Sequence, residues 1–504
     1  MIFVGIALNH HDSNISAYIN GEVKYAKYER QSGIKHARAP IVWFFDILEK
    51  WGIEEKNING FAYVDSFFNI KDKMYNPAPF QGEEFLLKED LDRGYGWYGF
   101  ANHLPNDQYI MLDHHHAHVY SNINFSQDGQ AISTDGNGSN NMFCRTWNSN
   151  FIKDFTFHEN QYPSPGRILL FLGHKIGLTG NEMDICGKIM GLQSYGESNV
   201  DFVNTFSSMG YDGLSYLRHW ILSLPDNLEL NQDTMNTISS AFDATGMVQK
   251  QIFNVFSKDK KIVYSGGVSL NVNWNREILD SGYDIDVNPH PYDGGLSLGC
   301  LHFILQKNNI NFNINNFPYI QDDEAPKTKP TEKTFNRVAE LLADNKIVGW
   351  YQGHGELGPR ALGNRSILMN PSIKNGKDIL NQKVKHREWW RPFGASVKKD
   401  KASEYFDLDD SPYMLFTAKV LRDDLPSITH VDGTCRHQTV TPEQNPLFYN
   451  LLDAFESKTG LPVLLNTSLN VGGKPIAGKI EEAVELFQNS ELDALCVGDE
   501  LYVK

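Results

Sequence analysis

A two-domain α/β protein is what this 504-residue sequence predicts. Three observations predict it. From residue 1 to about 320, short apolar runs of strand length alternate with longer mixed segments of helical character. Residues 321–334, QDDEAPKTKPTEKT, replace that periodicity with charge, threonine and two prolines, as a linker does. A second alternating stretch follows over 335–504, and the total length exceeds the roughly 250–300 residues at which a single core stops growing. The domains are therefore set at 1–320 and 335–504. In order, residues 3–8, 15–19 and 23–28 read as strands, the first hairpin being closed by Asn20-Gly21, a strong two-residue turn signal. Residues 109–112, 130–134 and 261–265 are further strands. The second domain opens on a helix over 335–345 and a strand over 346–351.

The 62 acidic and 46 basic residues leave a formal charge of −16, with the 17 histidines counted as neutral. Binding to long nucleic acid rests on many Lys and Arg contacts to phosphate, so that class of partner is disfavoured. At 41% hydrophobic and 21% charged, the chain is far from the composition of disorder. Five cysteines without a CxxC pair offer neither a disulfide framework nor a thiolate zinc site, which points to a reducing, cytoplasmic compartment. The first 14 residues lack a basic n-region and a cleavage site and read as a buried strand. No apolar stretch approaches the roughly 18–20 residues of a membrane span, so no membrane partner is expected.

Two constellations carry chemistry. Leu112-DHHHAHVYSN-Ile123 places His114 and His118 four apart, so on a helix the two imidazoles share a face, which His115 and His116 cannot both join. Taken alone this is a surface histidine cluster. Zinc-protease chemistry needs a Glu after the first His, and none is there. Asp135 then ends an apolar strand and enters Gly136-Asn137-Gly138, a pattern that suits a hairpin whose amides face phosphate while the carboxylate holds a cation, or else an ordinary Asp-Gly turn. Residues 261–273 read strand, Gly266-Gly267, helix, which lets backbone approach a ligand. Asp293 precedes Gly294-Gly295 and a helix, where it serves as ligand or N-cap. Two His and two Asp at such positions make an N2O2 set suited to Fe(II), Mn(II) or Zn(II). The motif order is that of an actin-like or sugar-kinase-like two-lobed ATPase fold.

The second constellation lies in the tail. Arg360 and Arg365 sit in a Gly/Pro-rich segment; Lys385, Arg387 and Arg391 surround two tryptophans; Arg436 and Gln438 follow; and Asn466, Ser468 and Asn470 end an apolar strand. Each cation singly reads as a solvated charge. Grouped beside Gly, Pro and Trp, they read as a pocket for a polyanion such as ATP with carbamoyl phosphate, since guanidinium forks hold phosphate bidentately.

These residues also carry a resemblance. His114-HHA-His118, Asp135-GNG, Gly187-KIMGLQSY-Gly196, Ser265-GGVSLNVN and Asn288-PHPYDGGLSLG resemble the N-terminal domain of the O-carbamoyltransferases of antibiotics, nodulation factors and related natural products. That domain is similar to the metal-binding catalytic subunit of the tRNA threonylcarbamoyladenosine machinery. Glu356-LGPRALGNRSIL, Lys385-HRE, Arg391-PF, Val431-DGTCRHQTV and Asn466-TSLN resemble the same enzymes' C-terminal α/β domain, similar in fold to threonylcarbamoyladenylate synthases, whose Lys-x-Arg and Ser-x-Asn signatures fall on Lys385-x-Arg387 and Ser468-x-Asn470. The likeness covers nearly the whole chain outside the linker.

The resemblance implies metal ligands at His114, His118, Asp135 and Asp293, with Fe(II) as the ion and Mn(II) or Zn(II) as alternatives. It places His11 and Lys35 at the carbamoyl-transfer site, His11 as base or orienter. It implies nucleotide contacts at Gly136, Asn137, Gly138, Lys188, Gly266, Gly267 and Asn271. Arg360, Arg365, Lys385, Arg387, Arg391, Arg436, Asn466, Ser468 and Asn470 would bind Mg-ATP and carbamoyl phosphate, and a homodimer is an allowed assembly. The expected reaction makes carbamoyl-adenylate and passes its carbamoyl group to a hydroxyl of a small acceptor, a natural-product alcohol, a sugar or a hydroxymethyl-pyrimidine nucleotide. Departures fall at Tyr28, Ser139 and Cys186, where the family carries acidic residues. The rivals are a tRNA threonylcarbamoyl-modifying fusion enzyme, disfavoured by the acidic charge, and an ATP sensor without turnover, which leaves the tail cations unexplained.

Overall fold

The computed structural model describes residues 1–8, 11–64, 85–87, 100–101, 103–136, 142–148, 151–156 and 164–504. The chain forms two compact units, one of Met1–Tyr28 with His36–Asn315, the other of Glu29–Lys35 with Asn316–Lys504. Both are α/β.

In the first unit, β1 (Ile2–Ala7), β2 (Asn14–Ile19) and β3 (Glu22–Lys27) form an antiparallel meander. Its first hairpin closes on Asn20 and Gly21, both with positive φ (51° and 108°), as a type I′ turn requires. On the other side of β1 lie parallel strands β4 (Gly60–Val64) and β6 (Tyr109–Leu112), with β5 (Phe85–Leu87) at the edge. A second sheet repeats that connectivity: meander β7 (Gln130–Thr134), β8 (Met142–Asn148) and β9 (Phe151–Thr156), then parallel β10 (Ile262–Ser265) and β11 (Ile285–Asp286) beside β7. Two lobes of one topology are the architecture expected from the motif order, although no repeat is visible in the sequence. The end of β7 and the turn after β10 meet closely. A Cβ on Gly266, where φ is +87°, would lie 2.2 Å from the Thr134 carbonyl oxygen, so only glycine fits.

The second unit is built on an eight-stranded sheet in which β12 (Val348–Tyr351), β13 (Arg365–Met369), β14 (Gly394–Lys398), β16 (Thr434–Val440) and β17 (Val463–Ser468) form the centre. Strand alternation serves a core on each face. Val348, Trp350 and Leu368 pack with Phe335 and Leu342 of α11 (Glu332–Ala343) and with Phe448 and Leu452 of α14 (Pro446–Thr459), whereas Ile347, Tyr351, Ile367 and Met369 face a separate cluster.

The segment expected as a linker packs into this unit. Asp323 is 1% exposed and pairs with Arg365 at 3.0 Å, and the helix expected over 335–345 begins inside the segment, at Glu332. Its charges satisfy buried partners, which composition alone does not reveal. Among the described residues, no helix is long and apolar enough to cross a membrane.

Candidate functional site

In the first unit Asp113 caps the helix α3 (His114–Tyr120), accepting from the amides of His115 and His116 at 3.0 and 3.2 Å. The cap starts the helix where His114 and His118 come onto one face. His118 Nε2 lies 2.7 Å from Asp135 Oδ2, 3.3 Å from Asp293 Oδ1 and 3.1 Å from His114 Nε2. His114 Nε2 is 3.1 Å from Asp135 Oδ2 and 3.6 Å from Asp293 Oδ1. One donor atom from each of the four residues lies within 4.8 Å of each of the others. Two imidazole nitrogens aimed at each other, faced by two carboxylates, are a donor set that fits a divalent cation of borderline hardness. Burial opposes a charged His118, but Asp135 and Asp293 outweigh it and hold its pKa up to about 9. His115 and His116 point elsewhere. His115 Nδ1 bonds Ser133 Oγ at 2.9 Å, and His116 packs edge-on against Trp147.

His11 reaches the same place. Its Nδ1 is 2.8 Å from Asp12 Oδ2 and its Nε2 is 3.7 Å from Asp293 Oδ2. Burial disfavours its charge, yet Asp293, Asp12 and Asp135 raise it to about 9. Asp12, fully buried, is the hub here: it also takes Lys27 Nζ at 2.5 Å and His36 Nδ1 at 2.9 Å, and Lys27 donates to Tyr292 OH at 2.6 Å. A lysine on the inward rhythm of an apolar strand was the available signal for Lys27.

The expected nucleotide contacts of this unit have other structural jobs. Gly267 gives Asp135 room, since a Cβ there would sit 2.9 Å from Asp135 Oδ1. Asn271 caps the helix α9 (Val272–Asp280) through the amides of Asn273 and Trp274. The Gly136 amide bonds Asp135 Oδ1 at 2.6 Å, and Lys188 is half-buried on the helix α5 (Glu182–Leu192). Asn137, Gly138 and Ser139 lie outside the described residues. The Cys186 thiol donates to the Gly166 carbonyl, and burial pushes its pKa up to about 12.

In the second unit the two sequence signatures meet. Lys385, 2% exposed, donates to Ser468 O and Asn470 O, each at 2.8 Å, and to Asn470 Oδ1 at 2.6 Å. Burial, then Arg387, Arg391 and Lys35, depress its pKa well below the usual lysine range. Arg387 is depressed by burial and by Arg391 and Arg436, and burial brings Arg436 down to about 10. Glu388, 3.6 Å from Arg391, supplies one opposing charge. Four mutually repelling cations in one half-buried place are an arrangement whose chemistry suits an anion. Lys35, expected beside His11, belongs to this unit and its charge is felt at Lys385.

Two residues expected as ligands make extensive hydrogen bonds within the fold. Arg365 is 0% exposed; its terminal nitrogens bond the carbonyls of Gln352, Asn364, Glu324 and Gly353 and the Asp323 carboxylate, and its plane lies 3.6 Å from the Tyr351 ring centroid. No terminal N–H is left for phosphate. Asn466, also buried, spends its amide on Ser396 Oγ and Ala361 O, while Ser396 bonds Gln438 and Gln438 bonds Leu362 O. These groups pin the 356–365 loop, as does buried Glu356, whose Oε1 accepts from the amides of Leu362, Asn364 and Arg365. Arg360, half-buried, rides on that loop.

A family model described as Carbamoyltransferase C-terminus matches residues 339–504. Nodulation protein NolO of Bradyrhizobium diazoefficiens is 31% identical over 67% of this chain and 69% of its own length. Nodulation protein NolNO of Sinorhizobium fredii is 29% identical over 98% of this chain and 79% of its own. The 3'-hydroxymethylcephem-O-carbamoyltransferase of Streptomyces clavuligerus is 31% identical over 51% of this chain and 53% of its own. Among solved structures, the (R)-2-hydroxyglutaryl-CoA dehydratase component A of Acidaminococcus fermentans is 11% identical over 61% of this chain and 98% of its own, with a TM-score of 0.37.

Proposed function

The chain belongs to the O-carbamoyltransferase family, and from that premise we propose that it activates a carbamoyl group with ATP in the second unit and delivers it to a hydroxyl in the first. The observation that carries the reading is the burial of Lys385 inside the Ser468–Asn470 turn beside Arg387, Arg391 and Arg436, a gathering of cations whose charged forms a bound anion would favour. Carbamoyl phosphate loses phosphate to water, the resulting carbamate oxygen attacks the α-phosphorus of ATP, and pyrophosphate leaves. The cations, with Arg360 on its pinned loop, offset the charge that builds at phosphorus. Lys385 acts as a fixed point charge, because its three donors are held by Ser468 and Asn470.

In the first unit His114, His118, Asp135 and Asp293 would hold the divalent cation. When bound, it supplies Lewis acidity toward a carbonyl oxygen. Asp135 and Asp293, once engaged as ligands, would no longer favour a protonated His11, of whose charge they are two of the causes. Asp12 on Nδ1 leaves His11 Nε2 to orient the acceptor hydroxyl and receive its proton. The Gly267 end of the turn after β10 and Lys188 are the groups this unit offers to the nucleotide of the incoming adenylate. The products are a carbamate ester and AMP.

The test supplies ATP, carbamoyl phosphate and a panel of alcohols and sugars and follows pyrophosphate, AMP and ester. His114→Ala and Asp293→Ala are expected to abolish ester formation while pyrophosphate release persists. Loss of both activities in these variants would overturn the division of labour, and absence of pyrophosphate with wild-type protein would overturn adenylate formation.

A further inference from the structure

The turn that carries Asp293 is tied to strands β2 and β3 by side chains that the chemistry above does not use. Asn14 Nδ2 donates to Asp293 O at 2.8 Å and to Asp12 O at 2.7 Å, and its Oδ1 accepts from the Ser297 amide at 2.9 Å. Tyr25 OH donates to Gly294 O at 2.5 Å, and Ser16 Oγ donates to Ser297 O at 2.7 Å. All three side chains are at most 1% exposed. Both hydrogens and the oxygen of the Asn14 amide are spent within one rigid plane. That plane links two turns: the His11–Asp12 turn, in which Asp12 has φ 63°, and the turn of Asp293. His11 Nε2 and Asp293 Oδ2 face each other across them at 3.7 Å.

We propose that Asn14, supported by Tyr25, is a positioning residue that sets the Asp293 carboxylate and the His11 imidazole at their mutual distance. Asn14 touches no reacting atom. It holds main-chain carbonyls on both sides, so the separation of ligand and base is decided by one carboxamide. Neither a carboxylate nor a hydroxyl replaces it. A carboxylate in the same shape presents oxygens to two carbonyls, and a shorter hydroxyl cannot span three partners. The inference rests on the reading of His114, His118, Asp135 and Asp293 as metal ligands and of His11 as the group facing the acceptor.

The experiment titrates the full chain with Co(II), followed by visible absorption, for wild type, Asn14→Ala and Tyr25→Phe, alongside pyrophosphate release and ester formation. Outer-shell partners of metal ligands typically carry about 10–100-fold in metal affinity. Asn14→Ala is expected to weaken Co(II) binding by about that factor and to alter the absorption band. Its kcat for ester formation falls while the KM for ATP and the rate of pyrophosphate release stay as in wild type. Tyr25→Phe, which removes one oxygen and leaves the ring packed, shifts both quantities in the same direction by less, and it decides the matter if Asn14→Ala does not fold. Wild-type affinity and an unchanged band in Tyr25→Phe and in a folded Asn14→Ala overturn the proposal alone. A wild-type chain that takes up no Co(II) overturns the metal reading, and this proposal with it.

Discussion

Arg365→Met separates the two readings of the GPRALGNR segment. A phosphate ligand would, on replacement, raise the KM for ATP and leave the fold intact. The structure instead gives Arg365 a buried ion pair with Asp323 at 3.0 Å and four backbone carbonyls. Removing one partner of a buried pair costs about 3–5 kcal/mol, because the other charge stays behind. At roughly 2–4 °C per kcal/mol for a unit of this size, the thermal midpoint should fall by about 10 °C. The loss depends on pH, with a sign fixed by Asp323. Burial raises its pKa to about 6 even though Arg365 opposes the shift. A carboxyl raised above its unfolded value favours the fold most below about pH 4 and loses that contribution as pH rises through about 6. Without Arg365 the folded value climbs further, so the deficit of Arg365→Met is small at pH 5 and grows from pH 6 to pH 8. Urea unfolding monitored by tryptophan fluorescence across that range measures it. A wild-type midpoint at pH 7.5 together with a raised KM for ATP would refute the reasoning, as would a deficit that is flat with pH.

Other outcomes follow from the same geometry. Lys385→Met should lower pyrophosphate release by about 10²–10³-fold, the usual loss for one preorganised group at developing charge, while Co(II) uptake in the first unit is unaffected; unchanged release would show that the cluster does not face the nucleotide. Gly299→Ala puts a Cβ 1.9 Å from the Ala117 carbonyl, where the helix α10 (Leu296–Lys307) crosses α3. Overpacking of that kind costs about 1–3 kcal/mol, and, because His114 and His118 ride on α3, calorimetry and metal titration should both register it. Glu356→Gln keeps the three amide bonds on Oε1 and is expected to fold, whereas Glu356→Ala frees the loop of Arg360 and should raise the KM for ATP; equal KM values for the two variants would count against the loop's role.

Much of the site was legible because its residues announce themselves by type and spacing. His114 and His118 at i and i+4 on a capped helix had to share a face, and Lys385 and Ser468-x-Asn470 carry a paired signature. Arg365 and Asn466 look identical to ligands in a sequence, since the same guanidinium or amide serves phosphate or main-chain carbonyls. The choice depends on whether Gln352, Gly353 and Glu324 arrive beside it. The buried roles of Asp323 and Lys27 are not legible in the sequence for the same reason: a buried charge is recognised by partners distant in sequence.

The sequence by itself determined the α/β class, the first hairpin and the convergence of His114 and His118 on one helix face, because strand rhythm, turn chemistry and helical spacing are local properties. Tertiary structure alone decided that 29–35 joins the second unit, that the apparent linker is packed there, and which cations are tied to buried partners. Those outcomes depend on pairings across tens to hundreds of residues, where burial turns each charge into either a structural partner or a group held ready for a ligand.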